Sequence, residues 1–222
     1  MRLAYQGEPG AYSEAAALLY GGADVETLPC KSFDDVFEAV ERKRATHGVV
    51  PLENSIGGTI HRNYDLLLEH DLPITGEVEL DVVHCLQALP GTKISDIRVV
   101  YSHPQALAQC DAFLRALPSV RLRAEFDTAG SARKVRDGGD PSVAAIASET
   151  AAGVYGLQIL ERGIQTQAGN FTRFVEVARE SRPCPPEAPC RTTLLLTLAH
   201  TPGALGQVLV RFGERGVNLS RI

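Results

Sequence analysis

The chain has 222 residues, 44% of them hydrophobic and 22% charged, and its formal net charge is −5. That much apolar material supports a substantial core with a small second unit and argues against disorder. The acidic balance and the interspersed Lys and Arg argue against nucleic acid or an anionic membrane as a partner. The start Met1-Arg2-Leu3-Ala4-Tyr5 reads straight into a strand, without a basic segment, apolar stretch or cleavage site. No run reaches the ~18 apolar residues of a membrane span, and the expectation is a cytosolic protein. Cys30, Cys85, Cys110, Cys184 and Cys190 include no Cys-x-x-Cys pair, so reduced thiols are expected rather than a disulfide framework or a zinc site.

In chain order, short β-rich runs alternate with helical patterns: a strand over 2–5, a helix over 13–20, a strand over 25–28, a helix over 33–41 and a strand over 47–51. A helix over 63–70 precedes a longer run, 74–86, which reads as one extended crossover between two lobes. The rhythm resumes with a strand over 97–101, a helix over 105–117, a strand over 121–126 and a helix opening at Ser131. A strand over 143–146, a helix over 148–155 and a final strand over 173–178 complete it. Two α/β lobes with a cleft between them are expected, because ligands of open parallel sheets bind beyond the carboxyl ends of the strands. Residues 181–190 are proline-rich and read as a linker. Beyond it come a strand over 192–198, a helix over 204–214 and the start of a strand over 217–222.

Polar motifs sit at successive strand-to-helix corners. Gly7-Glu8-Pro9-Gly10-Ala11-Tyr12-Ser13 lacks both the Gly-x-Gly-x-x-Gly spacing and a Gly-Lys-Ser/Thr, so it reads as a βα turn with Ser13 as a cap rather than a nucleotide loop. Pro51-Leu52-Glu53-Asn54-Ser55-Ile56-Gly57-Gly58-Thr59 holds more hydrogen-bonding groups than a connection needs, although Glu53 or Asn54 reads equally as a helix cap. In Ser102-His103-Pro104-Gln105-Ala106-Leu107-Ala108-Gln109-Cys110 the proline suits a first helical turn and makes Ser102 the expected cap. His103 as a general base, or paired with Cys110, is the less favoured reading there. Asp127-Thr128-Ala129-Gly130-Ser131 brings short hydroxyls to another corner. Gly169-Asn170-Phe171-Thr172-Arg173-Phe174 sets a hydroxyl beside a guanidinium, the side chain best shaped for a carboxylate.

Taken together and in order, these segments resemble the prephenate dehydratase family, above all through Glu53-Asn54-Ser55, Ser102-His103-Pro104-Gln105-Ala106-Leu107 and Thr172-Arg173-Phe174. The resemblance implies a two-lobed catalytic domain over 1–180, like a periplasmic binding protein, followed by a linker over 181–190. Residues 191–222, with Pro202-Gly203-Ala204-Leu205 and Gly216-Val217-Asn218-Leu219, resemble a partial ferredoxin-like ACT domain of α+β class, the family's phenylalanine-binding module. By that matching Thr172 is catalytic, Arg173 binds substrate, and Phe174, Asn170, Ser13, Asn54, Ser55, Ser102, Gln105 and Thr128 line the cleft. Gly203, Ala204, Leu205, Asn218 and Leu219 belong to the effector site.

The implied reaction converts prephenate to phenylpyruvate, carbon dioxide and water, driven by aromatisation. It needs positioning and a proton donor but no cofactor and no metal. Arogenate, with an amino group in place of the keto oxygen, is the alternative substrate, and a non-catalytic amino-acid sensor the more remote reading. The expected partner beyond the substrate is a second copy of the chain, as a homodimer or homotetramer. L-phenylalanine is the expected inhibitor of a full-length form, with that response weakened where the effector module is incomplete.

Overall fold

The computed structural model describes residues 1–22, 24–117, 119–183, 187, 190–194 and 196–219. They fall into two compact units, Met1–Pro183 and Cys184–Ile222. In the first unit, one lobe is built from β1 (Arg2–Gln6), α1 (Tyr12–Gly21), β2 (Glu26–Cys30), α2 (Phe33–Glu41), β3 (His47–Asn54), the short β4 (Gly58–Thr59), α3 (His61–Glu69) and β5 (Ile74–Asp81). The other contains β6 (Cys85–Ala88), β7 (Val99–Ser102), α4 (Pro104–Gln109), α5 (Asp111–Ala116), β8 (Arg121–Ala124), α6 (Thr128–Gly138), β9 (Val143–Ala147), α7 (Glu149–Tyr155) and β10 (Gln158–Arg162). The chain then returns to the first lobe as β11 (Phe171–Ala178).

The first sheet runs β2-β1-β3-β11-β5 with β4 beside β3, and the second runs β10-β6-β9-β7-β8. β3 is the central strand, parallel to β1 and antiparallel to β11, and its residues from Gly48 to Asn54 are buried. Period-2 alternation then sorts β11. Val175 and Val177 pack with Phe37, Val40 and Leu66 on the α2 and α3 side, while Phe174 packs with Leu3, Ala16 and Val49 on the α1 side. α2 starts where the sequence marks it, since Ser32 accepts the Asp35 N–H and Asp35 accepts the Ser32 N–H, a reciprocal cap.

Several expectations change. The run over 74–86 is not one strand: β5 belongs to the first sheet and β6 to the second, and the intervening Val82 to His84 send their N–H groups elsewhere, Val82 to Asn170 O at 2.8 Å and His84 to Gln165 Oε1 at 3.1 Å. The helix over 105–117 breaks into α4 and α5 at buried Cys110, which leaves the helical region. α6 opens at Thr128 rather than Ser131, because Asp127 accepts the Gly130 N–H. β10 is an edge strand with exposed polar ends, too short for its alternation to register. Among the described residues of the second unit only α8 (Ala204–Glu214) is regular. No strand forms over 192–194, 196–198 or 217–219, where no neighbouring strand supplies a ladder. Ser220 to Ile222 and Leu195 lie outside the described residues, as do Cys184 to Pro186, Ala188 and Pro189 of the expected linker. Cys30, Cys85 and Cys110 are free and buried, but Cys190 is disulfide-bonded, which corrects the expectation of reduced thiols there. A search for Cys-x-x-Cys spacing has no signal for such a bond.

The lobes meet tightly at the loop before α1. Gly10 has φ +87°, and a Cβ there would lie 2.7 Å from Ala151 Cα. Ser148 Oγ donates to Gly10 O at 2.6 Å, and the Tyr155 hydroxyl donates to Pro9 O at 2.8 Å. Gly10→Ala meets both a left-handed backbone and an occupied volume, so we expect a loss of about 2 kcal/mol or more in urea unfolding. A loss below ~0.5 kcal/mol would show that this junction is not tight.

Candidate functional site

Between the lobes lies a cavity of about 480 Å³, lined by the first residues of several helices: Tyr12 and Ser13 of α1, Phe33 and Asp34 of α2, Gln105 and Ala106 of α4, and Thr128 of α6. Asn54, at the end of β3, and Thr172 and Phe174 of β11 also line it. Among the described lining residues there is no Lys or Arg. Asp34 is paired with Arg62, and Asp127 caps α6. No side chain caps α1. The cleft therefore offers helix-start N–H groups, hydroxyls and amides, groups that favour anions without a formal charge.

Along the cavity wall sits a closed ring of three side-chain amides, two of which, Asn54 and Gln109, belong to the lining. Asn54 Oδ1 accepts the N–H groups of Ile56 at 3.1 Å and Gly57 at 2.5 Å, which fixes which end of its amide is oxygen. Its Nδ2 then donates to Asn170 Oδ1 at 2.8 Å, Asn170 Nδ2 donates to Gln109 Oε1 at 3.2 Å, and Gln109 Nε2 reaches back to Asn54 Oδ1 at 3.4 Å. Asn54 Nδ2 also lies 3.0 Å from Thr172 Oγ1. With a lone pair of Oγ1 engaged by this N–H, the threonine's own proton is left to donate.

Of the residues singled out from sequence, Ser13, Asn54, Gln105, Thr128, Thr172 and Phe174 meet on the cleft, and Asn170 stands in the ring behind it. Ser55 is exposed and stitches the strand ends, donating to Gly169 O at 2.7 Å and accepting the Phe171 N–H at 2.9 Å. Ser102 neither caps α4 nor faces the cleft. It ends β7 fully buried, donating to Ile146 O at 2.7 Å on the neighbouring strand, and His103 Nδ1 accepts the Gln105 N–H instead. Arg173 is likewise corrected: one residue from Thr172, it projects to the opposite face of the sheet. There Nε meets Glu53 at 3.2 Å and Nη1 meets Glu77 at 3.0 Å, with the Tyr64 hydroxyl also on Glu53. Burial works against the charge, but the two carboxylates hold the guanidinium above its ordinary pKa. Gly203 takes φ +82° before Ala204 and Leu205 open α8, and Asn218 and Leu219 follow that helix in the second unit.

Sequence reasoning passed over Tyr12, His84 and Gln109 as site residues. His84 is 2% exposed, its Nε2 is 2.7 Å from Gln109 Oε1, and its Nδ1 is 3.0 Å from the Tyr12 hydroxyl. Burial pulls its pKa below the ordinary value against the Gln109 contact, and burial does the same to His103 against Asp127. Burial raises the Tyr12 phenol well above its usual range. Among the described residues no group of three or more His, Cys, Asp or Glu is arranged to hold a metal ion, and no helix is long and apolar enough to cross a membrane.

Fold and cleft thus define a two-lobed α/β protein with a polar interlobe cavity whose described lining holds no Lys or Arg. The sequence profile of the family described as prephenate dehydratase matches residues 3–182. An arogenate dehydratase/prephenate dehydratase from Arabidopsis thaliana, chloroplastic, is 47% identical over 222 residues, covering 100% of this chain and 56% of that protein. A prephenate dehydratase from Arthrobacter aurescens, solved in complex with L-Phe, superposes with a TM-score of 0.86 at 32% identity, covering 100% of this chain and 75% of that one. GqqA, described as a novel type of quorum-quenching acylase, gives 0.82 at 34% identity, covering 100% and 80%. The chain belongs to the prephenate dehydratase family. It spans about half the length of the curated relatives it matches. The cytosolic reading of Met1 onwards does not stand: several of these relatives are chloroplastic, and the first residues of a chain covering 56% of such a relative do not speak to location.

Two outcomes follow from this geometry. Arg173→Met leaves Glu53 buried without its guanidinium and should cost on the order of 3 kcal/mol in urea unfolding; a cost under ~1 kcal/mol would contradict the buried pair. The lowered pKa values of His84 and His103 mean that, as pH falls through ~6.5, the unfolded chain takes up protons before the folded one. Stability should therefore fall on acidification from pH 7.5 to 5.5, with a shallower fall in His84→Gln. Equal slopes in the two proteins would remove His84 from that account.

Proposed function

We propose that the cleft carries out the decarboxylating dehydration of prephenate to phenylpyruvate, carbon dioxide and water. The observation that carries the reading is Thr172 Oγ1 on the cleft wall, accepting from Asn54 Nδ2 at 3.0 Å and so turned to donate. As the ring carboxylate leaves as carbon dioxide, its bonding pair enters the ring and the bond to the 4-hydroxyl breaks. The departing oxygen needs one proton to become water, and that proton comes from solvent, either directly or through the Thr172 hydroxyl, which solvent then reprotonates. Thr172 supplies a hydrogen bond to that oxygen, while the N–H groups at the starts of α1, α2 and α6, with the Ser13 and Thr128 hydroxyls, hold the substrate carboxylates. Phe174 gives the ring an apolar floor.

Arogenate is the second reading. The relatives named arogenate dehydratase support it, as does a lining without Lys or Arg but with the carboxylates of Asp34 and Asp127, which tolerates an ammonium group on the side chain. Residues 191–219 are the opening part of an effector module in this reading, with Gly203, Ala204, Leu205, Asn218 and Leu219 toward phenylalanine. The module would act in a homo-oligomer, by binding two states of the protein unequally.

Purified protein should turn over prephenate, and parallel assays with arogenate, each with and without phenylalanine, rank the substrates and test the effector. Thr172→Val should lower kcat by more than ~100-fold on the favoured substrate at unchanged circular dichroism. Near-normal turnover would reject the hydroxyl's role.

A further inference from the structure

The amide ring determines more than the Thr172 contact. Gln109 Oε1 already accepts from Asn170 Nδ2, and its own Nε2 faces Asn54 Oδ1, so the atom 2.7 Å from His84 Nε2 is an acceptor. The ring thus assigns the His84 proton to Nε2, and Nδ1 faces the Tyr12 hydroxyl, which also reaches Val83 O at 2.8 Å. The histidine is held from every side. Its N–H donates to Gln165 Oε1 at 3.1 Å, its C=O accepts from Ile164 N at 3.2 Å, and the Tyr12 ring stands edge-on, 5.6 Å between centroids at 79°. It lies on the first crossover between the lobes, and its backbone partners lie on the second.

We infer that His84 is a positioning residue for the reaction at Thr172, acting through Gln109, Asn170 and Asn54. Its Nε2–H donor fixes the Gln109 amide, Gln109 fixes Asn170, and Asn170, together with the Ile56 and Gly57 N–H groups, holds Asn54 with Nδ2 toward Thr172 Oγ1. Without that donor, Gln109 Oε1 keeps a single partner and its amide is free to turn over, which breaks the ring at two of its three links. Asn54 keeps its oxygen on the Ile56 and Gly57 N–H groups, but its Nδ2 loses the Asn170 anchor that holds it toward Thr172 Oγ1, and the hydroxyl is less firmly directed into the cleft. His84, Gln109 and Asn54 border the cavity, but the contacts that the change breaks lie within the ring, so the chemical step is slowed more than substrate binding. This inference rests on the dehydratase reading of the cleft.

The test has a kinetic and a spectroscopic arm. His84→Leu should lower kcat roughly 10- to 100-fold, the scale of a misplaced catalytic group, with KM within about two-fold. His84→Gln, which keeps an N–H donor near the Nε2 position, should recover most of kcat. Adding His84→Leu to Thr172→Val should cost nothing further, because a residue acting only through that hydroxyl has no effect once it is gone. Independent losses that multiply in the double variant, or no rescue by His84→Gln, would overturn the assignment. In wild-type protein labelled with 15N-histidine, long-range proton–nitrogen spectra should give His84 as the Nε2–H tautomer, and an Nδ1–H tautomer would overturn it equally. Absence of any turnover by wild type would sink the dehydratase reading, while the tautomer would still decide the His84 contact.

Discussion

Two backbone N–H groups, those of Ile56 and Gly57, point at one side-chain oxygen, and the polar floor of the cleft depends on that constraint. An amide side chain has two nearly isosteric ends, and in an isolated pair either orientation is affordable. Here the backbone can only donate, so Asn54 must present oxygen to it and nitrogen to everything else. Asn170 and Gln109 follow in turn, and a polarity set by a tight turn after β3 is carried across the lobe junction. The same turn explains why position 57 is glycine: a side chain there would occupy the space of the Gln105 amide, which comes from the other lobe.

The consequence for charge is unusual for a site read as binding carboxylates. The guanidinium nearest in sequence to Thr172 is on the reverse face of the sheet, between Glu53 and Glu77, and its field is largely cancelled there. Attraction for an anion falls to the helix starts and hydroxyls, whose partial charges are fixed by the fold and need little reorganisation as charge shifts during reaction. A cleft of this kind holds a carboxylate less tightly than a lysine would. In the proposed reaction it would also compete less with departure of that group as neutral carbon dioxide.

Much of this was legible in the sequence where a local device specifies it. α2 lies at Phe33–Glu41 because Ser32 and Asp35 cap it reciprocally, and the family resemblance pointed to Ser13, Asn54, Gln105, Thr128 and Thr172, which the fold brings to one cavity. Arg173 was misread although its own alternation held the answer. Thr172 and Phe174 on one face put the intervening residue on the other, and reading the three as a motif hid that. Ser102 failed for a related reason: the strand was read as ending at Tyr101 with Ser102 as the cap, whereas β7 runs through Ser102 and His103 is the cap. His84 gave no signal at all. It is a single polar residue within an apolar run, and its partners Tyr12 and Gln109 are 72 and 25 residues away along the chain. The split of α4 from α5 at Cys110 was hidden too, yet that break ends α4 at Gln109, the residue that closes the ring.

A threonine hydroxyl is a weak acid, and nothing in its own chemistry suits it to protonate a departing hydroxide. The ring changes what it can do in two ways. By accepting from Asn54, Oγ1 becomes part of a chain of polarised hydrogen bonds, which strengthens its own donation. By fixing Asn54 through the Ile56 and Gly57 N–H groups and Asn170, the structure keeps Nδ2 on Thr172 Oγ1 and leaves the hydroxyl proton to point elsewhere. In the proposed reaction a donor of modest strength held in one direction competes well with a stronger one free to turn away, because the leaving oxygen would become basic only briefly, as the ring becomes aromatic.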